Sequence, residues 1–242
     1  NTHTKTVTVA EILYYTVRNT ESLFGYVGNI LTVIAILRFK KLKTSSNIML
    51  LSLAISDLLS LTVNVLEFFD LLVRAYKIGW IFQYECYLML FFALYGGNTS
   101  QYVMFLIAID RLLAIKFPIL FRNWITMKLV TAVLFSTWTI IFLKVTLEVH
   151  FGITITREYG CNLNSFYDAS ISLYASVIHF AVVSLITIIL YIVIMILVRK
   201  RKVKTEPEGQ QNKKYQKVEA KMTKIVLFVF FIYYGCYMAV FI

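Results

Sequence analysis

The sequence predicts an all-α membrane protein, and three observations carry that prediction. Hydrophobic residues make up 59% of the chain and charged residues 15%, against about 45–50% and about 25% in soluble domains; mean hydropathy is +0.73. The apolar residues fall into long runs, each near the ~20 residues needed to cross a hydrocarbon core. Only two prolines and nine glycines occur in 242 residues, so the runs can be continuous helix. A soluble bundle of buried helices is the competing reading, and the runs' lack of a polar face weighs against it. The net charge of +11 could suit nucleic acid. The cations, however, sit in the links between apolar runs rather than on a folded face, so no nucleic-acid partner is expected.

Six spans are expected, over residues 12–37, 47–72, 84–115, 125–147, 169–198 and 222–242. The first two are joined by Arg38, Lys40, Lys41 and Lys43. Lys116, Arg122 and Lys128 lie between the third and fourth. The link from the fifth to the sixth is the most basic. It opens with Arg199-Lys200-Arg201-Lys202 and turns on the polar tip Glu206-Pro207-Glu208-Gly209. The opposite links carry only Arg74, Lys77 and Arg157. Cytoplasmic links are the cation-rich ones, so the N-terminus is expected outside the cell and odd spans descend. No Met opens the sequence and no cleavable leader precedes the first span. The sequence therefore reads as part of a longer protein, stopping after the sixth span.

Polar residues inside spans are costly and mark function. Gly28-Asn29 lies in the first span and Leu53-Ala54-Ile55-Ser56-Asp57 in the second. Trp80-Ile81-Phe82 precedes Cys86 by four residues. Asp110-Arg111 closes the third span, twenty-five residues after Cys86; Trp138 lies in the fourth and Tyr191 near the end of the fifth. In this order the residues resemble the rhodopsin-like (class A) G-protein-coupled receptors, and the resemblance covers essentially the whole chain. It implies a seven-transmembrane-helix receptor bundle of which six spans are present, at the plasma membrane. The implied partners are an extracellular ligand, a heterotrimeric G protein and the lipid bilayer.

The resemblance assigns roles. Asp110 neutralises Arg111 at rest; on activation the sixth span swings outward and Arg111 meets the tail of the G protein α subunit, with Tyr191 supporting the open form. The plain alternative for Arg111 is an interface anchor. The third motif residue is usually Tyr and is Leu112 here, which spares the ion pair. Pro118-Ile119 matches an apolar plug into the G protein, or is simply a helix stop. Asp57, Asn29 and Ser100 correspond to a hydrated cavity that can hold an allosteric sodium ion, oxygen ligands suiting a hard cation; a purely structural Asp57 is the alternative. No other cofactor is expected. Cys86 and Cys161 fall on the same oxidising side and are implied to form a disulfide, two unpaired thiols being the alternative, while Cys236 is a packing thiol.

The pattern breaks in two places. The fifth span has no proline, and the corresponding position is Val183. The sixth reads Phe230-Phe231-Ile232-Tyr233-Tyr234-Gly235-Cys236, with Tyr234 where the family has an agonist-sensing Trp and Cys236 where it has a kinking Pro. The sixth span should therefore be straighter, with Gly235 its remaining flexible point.

The ligand pocket implied by the resemblance opens outward. Its candidates are Glu67 and Asp70, three apart on one face, with Lys144, Glu148, His179 and Tyr237. Lys144 and Glu148, four apart, are expected to pair with each other first. His179 is equally a packing residue. Seven residues after Cys86, where monoamine receptors carry Asp, this chain has Ala93; an amine ligand is disfavoured. An acidic rim of Glu67, Asp70, Glu85 and Glu148 would suit a basic peptide.

Two other functions compete. A secondary transporter would use Asp57 and His179 as ion carriers, but the broken spans and repeated halves of transporters are not visible. A receptor that binds ligand without signalling is kept open by the lost Trp and prolines. No nucleophile–base–acid set, metal-ligand cluster or phosphate loop suggests an enzyme. Asn98-Thr99-Ser100 fits the glycosylation pattern but lies within the third span, where it should stay unmodified.

Overall fold

The computed structural model describes residues 8–75, 83–152 and 171–203, together with Phe228. Helix α1 spans Val9–Arg38, α2 Ser45–Ala75, α3 Gln83–Lys116, α4 Pro118–Trp124, α5 Met127–Gly152 and α6 Ile171–Val203. A 3-10 turn at Lys40–Leu42 joins α1 to α2. No strand occurs among the described residues. Helices α1, α2, α3, α5 and α6 occupy the first five expected spans. The sixth lies outside the described residues except for Phe228, which is helical and exposed.

Local sequence sets the helix ends. The Thr44 hydroxyl accepts a hydrogen bond from the Asn47 amide at 3.4 Å, and Asn47 Nδ2 donates to the Leu42 carbonyl at 2.8 Å. Together they satisfy the open first turn of α2 and close the link from α1. Pro118 ends α3 and supplies the first turn of α4, where its missing N–H costs nothing. Thr126 caps α5, accepting from the Leu129 amide at 3.3 Å. Along the exposed faces, Thr16, Thr32, Thr131, Thr139 and Thr146 each donate to a carbonyl four residues back. That self-satisfaction makes a hydroxyl tolerable beside lipid.

Two boundaries differ from the sequence reading. Residues 118–124, expected as loop, form α4. The basic run Arg199–Lys202, expected to open a loop, continues α6 to Val203. Neither Gly nor Pro interrupts that run, Lys and Arg are good helix formers, and their charge is favourable at a helix C-terminus.

The burial pattern is inverted relative to a soluble bundle. Large apolar side chains point outward, with Phe24 at 75% exposure and Phe135 at 73%, while Ser56, Thr99 and Gln101 are completely buried. This removes the soluble-bundle alternative. Among the described residues, four helices are long and apolar enough to cross a membrane: Ile12–Arg38, Ser45–Leu66, Met127–His150 and Ile178–Val198. The third expected span is not among them, although its helix is 34 residues long. Its polar stretch from Gly96 to Gln101 lowers its hydropathy. That stretch is tolerated because α3 packs against α2, α5 and α6 and is shielded by them.

The main core lies toward the Lys116 end of α3, where Met49, Leu53, Val103, Met104, Ile107, Ala108, Leu134, Tyr191 and Ile194 interlock. A smaller cluster of Val63, Met89 and Leu90 lies toward the other end. Between them α3 and α2 approach closely at Gly96. A Cβ there would sit 2.5 Å from Ser60 Oγ, 2.8 Å from the Ser60 amide nitrogen and 2.9 Å from the Ser56 carbonyl oxygen. Two of those atoms are backbone, so relief requires moving a helix. Gly28 has nothing within 4 Å of the equivalent position. Gly96→Val should therefore destabilise the protein by about 1–3 kcal/mol, whereas Gly28→Ala should be neutral or stabilising by up to about 1 kcal/mol. Thermal unfolding of the two variants in one detergent checks this; equal midpoints would refute the packing assignment.

Candidate functional site

Helix α3 carries polar groups at its Lys116 end, where they meet α2, and at its middle, where they meet α2, α5 and α6. At the Lys116 end, Asp110 and Arg111 are buried to 4% and 3% exposure. Being adjacent in sequence, they cannot meet by helical spacing alone; the guanidinium folds back along the helix. Arg111 Nη2 donates to Asp110 Oδ2 at 2.5 Å and Nε donates to the same oxygen at 3.1 Å. Ser46, in the first turn of α2, completes the cluster. Its hydroxyl donates to Asp110 Oδ2 at 3.0 Å and accepts from Arg111 Nη2. Asp110 Oδ1 makes no hydrogen bond among the described residues. Burial of such a pair is costly unless both charges are matched, and the serine supplies a third arm that ties α2 to α3.

At the middle level, Asp57 on α2 meets Ser100 on α3. Ser100 Oγ donates to Asp57 Oδ1 at 2.5 Å and lies 2.9 Å from Ser56 Oγ. The close approach at Gly96, one turn away, brings these helices near enough for the contact. Asn29 does not join them: its Nδ2 donates to the Gly25 carbonyl of its own helix at 3.0 Å. Of the three expected oxygen donors, two are brought together, and Ser56 is an unanticipated neighbour. A carboxylate beside hydroxyls fits a hard cation. Nearby, Trp138 on α5 donates from Nε1 to Ser52 Oγ on α2 at 2.8 Å. Tyr95 packs edge-on against the Trp138 ring at 5.4 Å.

Within the same turn of α3 as Ser100, several other candidates gather around Asn98, Gln101 and Tyr102. Lys144 Nζ lies 3.2 Å from a Glu148 carboxylate oxygen and donates to Asn98 Oδ1 at 3.0 Å. The i,i+4 pairing expected from sequence is present, and α3 takes part in it through Asn98. His179 Nε2 hydrogen-bonds Tyr102 Oη, and His179 is within electrostatic reach of both Lys144 and Glu148. Gln101, completely buried, donates from Nε2 to the Phe180 carbonyl at 2.8 Å and to Ser184 Oγ at 2.9 Å. This fastens α3 to α6 beside Val183, where the family pattern has proline. On the opposite flank, Arg18 of α1 donates to Asn64 Oδ1 at 2.6 Å, and Asn64 Nδ2 donates to Ser22 Oγ at 3.0 Å.

The remaining expected residues divide. Tyr191 is 1% exposed within the main core. Ile119 is 77% exposed on α4, directly after Pro118. Ala93 packs against the Val63–Met89–Leu90 cluster. Glu67 and Asp70 lie on α2, and Glu85 and Cys86 in the first turn of α3, but their side chains fall outside the described set. Cys161, Tyr234, Cys236 and Tyr237 also lie outside the described residues. Sequence reading missed Ser46, Asn98, Gln101 and Tyr102 as partners. Asn98 and Gln101 carried a signal, as amides in mid-span.

Residues 28–242 match the profile of the family described as 7 transmembrane receptor (rhodopsin family). Among curated proteins the chain is 27% identical to a D(2)-like dopamine receptor of Takifugu rubripes, over 82% of this chain and 43% of that protein. It is 25% identical to somatostatin receptor type 5 of Rattus norvegicus, over 90% of this chain and 60% of that protein. To melatonin receptor type 1A of Phodopus sungorus it is 26% identical, over 93% of this chain and 62% of that protein. The chain thus spans roughly two-fifths to three-fifths of the length of the relatives it matches.

The three-way cluster at the Lys116 end makes a stability prediction. Ser46→Ala removes one donor and one acceptor from a buried pair and should cost about 1–3 kcal/mol. In a double-mutant cycle with Asp110→Asn the two changes should couple by at least about 0.5 kcal/mol. Additive effects would show that Ser46 does not share the cluster.

Proposed function

The chain belongs to the rhodopsin-like seven-transmembrane receptor family, and from that premise we propose that it is a cell-surface receptor coupling an extracellular ligand to nucleotide exchange on a heterotrimeric G protein. The observation that carries this is the buried Asp110–Arg111–Ser46 cluster. A receptor of this kind shifts population between two helix packings. The resting packing needs an arginine that is held but releasable. Here the guanidinium is held by Asp110 on its own helix and by the Ser46 hydroxyl of α2. Freed, Arg111 would extend toward the G protein α tail, with Tyr191 supporting the open form.

The chain sits in the plasma membrane with its N-terminus outside, since the basic links at 38–43, 116–128 and 199–224 belong on the cytoplasmic side. Pro118 and Ile119 then face the transducer. The exposure of Ile119 supports that contact. Asp57, with Ser100 and Ser56, forms an allosteric sodium site; Asn29 would have to turn from the Gly25 carbonyl to contribute.

The ligand enters from the Gln83 end. The matched relatives are named for dopamine, somatostatin and melatonin, so likeness alone does not select a ligand class. Ala93 argues against a monoamine, because no carboxylate stands there to pair with its ammonium. A peptide is the better fit, read by Glu67 and Asp70, with Tyr237 and the Lys144–Glu148–His179 group deeper in. Because Glu148 is already paired with Lys144, the acidic rim rests mainly on Glu67 and Asp70. A second reading, ligand binding without signalling, is favoured only by Tyr234 and Cys236 in place of the usual Trp and Pro.

Arg111→Ala should insert into membranes normally yet lower ligand-stimulated nucleotide exchange to the receptor-free level; undiminished exchange would refute the coupling mechanism. Sodium should raise the unfolding temperature of the wild-type protein above its value in equal choline, as ligand linkage requires. Asp57→Asn should abolish that difference, and an unchanged sodium effect would rule out the site. Glu67→Lys should weaken the response to basic peptides, and an unaltered response would dismiss the acidic rim.

A further inference from the structure

Asn98, Tyr102, Lys144, Glu148 and His179 meet along the seam where α5 and α6 both rest on α3. Those two helices pack on α3 far more extensively than on each other. Lys144 and His179 each lie within a membrane-crossing stretch, Met127–His150 and Ile178–Val198.

Hydrogen bonding leaves one atom of this group open. The Lys144 ammonium has three N–H bonds. It lies 3.2 Å from each Glu148 carboxylate oxygen and donates to Asn98 Oδ1 at 3.0 Å, so all three are engaged. Asn98 Nδ2 donates to the Leu94 carbonyl at 2.8 Å. His179 Nε2 bonds Tyr102 Oη. His179 Nδ1, by contrast, is shielded from solvent and makes no hydrogen bond among the described residues.

Counting protons fixes the tautomer. With the ring proton on Nε2, the Tyr102 hydroxyl proton and the Nδ1 lone pair are both left without a described partner. With the Tyr102 hydroxyl donating to Nε2, the ring proton sits on Nδ1 and one N–H alone is left over. The second arrangement leaves fewer buried groups unmet and is the cheaper. A cationic ring would add a second positive charge within reach of Lys144, with one carboxylate to match both. The open atom is therefore a neutral N–H donor.

Charge balance sets what meets it. One ammonium and one carboxylate already cancel. A carboxylate ligand would leave the group net negative inside the bilayer and an ammonium ligand would leave it net positive, and both are costly there. An uncharged acceptor oxygen satisfies Nδ1–H and adds no charge. We infer that His179, held by Tyr102, donates to an uncharged carbonyl oxygen of the ligand, that of an amide or ester. Lys144 and Glu148 then serve by cancelling each other rather than by pairing with ligand charge. The inference rests on this group being part of the ligand pocket, and it narrows that reading: charge on the ligand belongs at the Glu67–Asp70 rim.

The test uses the full chain in phosphatidylcholine nanodiscs, its histidines labelled with heavy nitrogen for magnetic resonance. The chain has three histidines, and His3→Gln and His150→Gln identify the His179 signals by elimination. Without a probe, Nδ1 should be the protonated ring nitrogen; a protonated Nε2 would overturn the inference. N-hexylacetamide, hexanoate and hexylammonium, alike in chain length, are then titrated separately. N-hexylacetamide should move the Nδ1 signal saturably, with an apparent affinity at least about tenfold above either ion. An equal or tighter response to hexanoate would make the group an anion site, and to hexylammonium a cation site; each overturns the inference. No saturable shift with any probe would show that Nδ1 is met by water or by another part of the chain, and overturns it too. In His179→Phe the rise in unfolding temperature with N-hexylacetamide should vanish, and its persistence would place the probe elsewhere. The wild-type titration decides the matter even where that variant does not fold. No G protein is needed, so failed coupling would leave these signals as they are, and failure here would leave the Arg111→Ala outcome as it is.

Discussion

The rest of this structure depends on one constraint: a polar group inside a bilayer must be satisfied by the protein itself. Helix α3 carries a polar stretch from Gly96 to Gln101 in its middle, and it is packed against α2, α5 and α6. Its polar side chains reach all three neighbours, Ser100 meeting α2, Asn98 meeting α5, and Gln101 and Tyr102 meeting α6, while the buried Thr99 hydroxyl makes no hydrogen bond among the described residues. The bundle is organised around satisfying one helix.

The same constraint shapes the proposed switch. Asp110 and Arg111 would be prohibitively costly apart, so the resting state must pair them. The pairing is nevertheless local, made between sequence neighbours and fastened to α2 by one serine hydroxyl. A second state therefore has to give the guanidinium a new environment. The Gln101 bridge to α6 works in the opposite sense. It adds two hydrogen bonds across α3 and α6 beside Val183, where a proline would have loosened the helix. A stiffer fifth span is consistent with the other departures from the family pattern in the sixth.

Some of the candidate site was legible in the sequence because its geometry is local or its cost is obvious. Lys144 and Glu148 are four apart on one helix, so their pairing follows from helical periodicity. Asp110 and Arg111 are adjacent charges at the end of an apolar run. Ser46, by contrast, is one of many serines and lies 64 residues from its partner. Asn29 was expected at Asp57 by its position, yet its amide is satisfied more readily by a carbonyl one turn back. Helix α4 was hidden because seven residues are too few to show a period, and the Pro118 that starts it reads as a stop.

By itself the sequence determined that this chain is a membrane-helix bundle, that its long apolar runs are helical, and which buried charges must be accounted for. Those follow from composition, run length and the cost of a charge in hydrocarbon, none of which depends on neighbours. Only the tertiary structure decided which neighbour satisfies each polar group, how near α2 approaches α3 at Gly96, and which faces are left for lipid. Those outcomes depend on helix rotation and separation, and a one-dimensional pattern of polar residues is compatible with several of them until packing selects one.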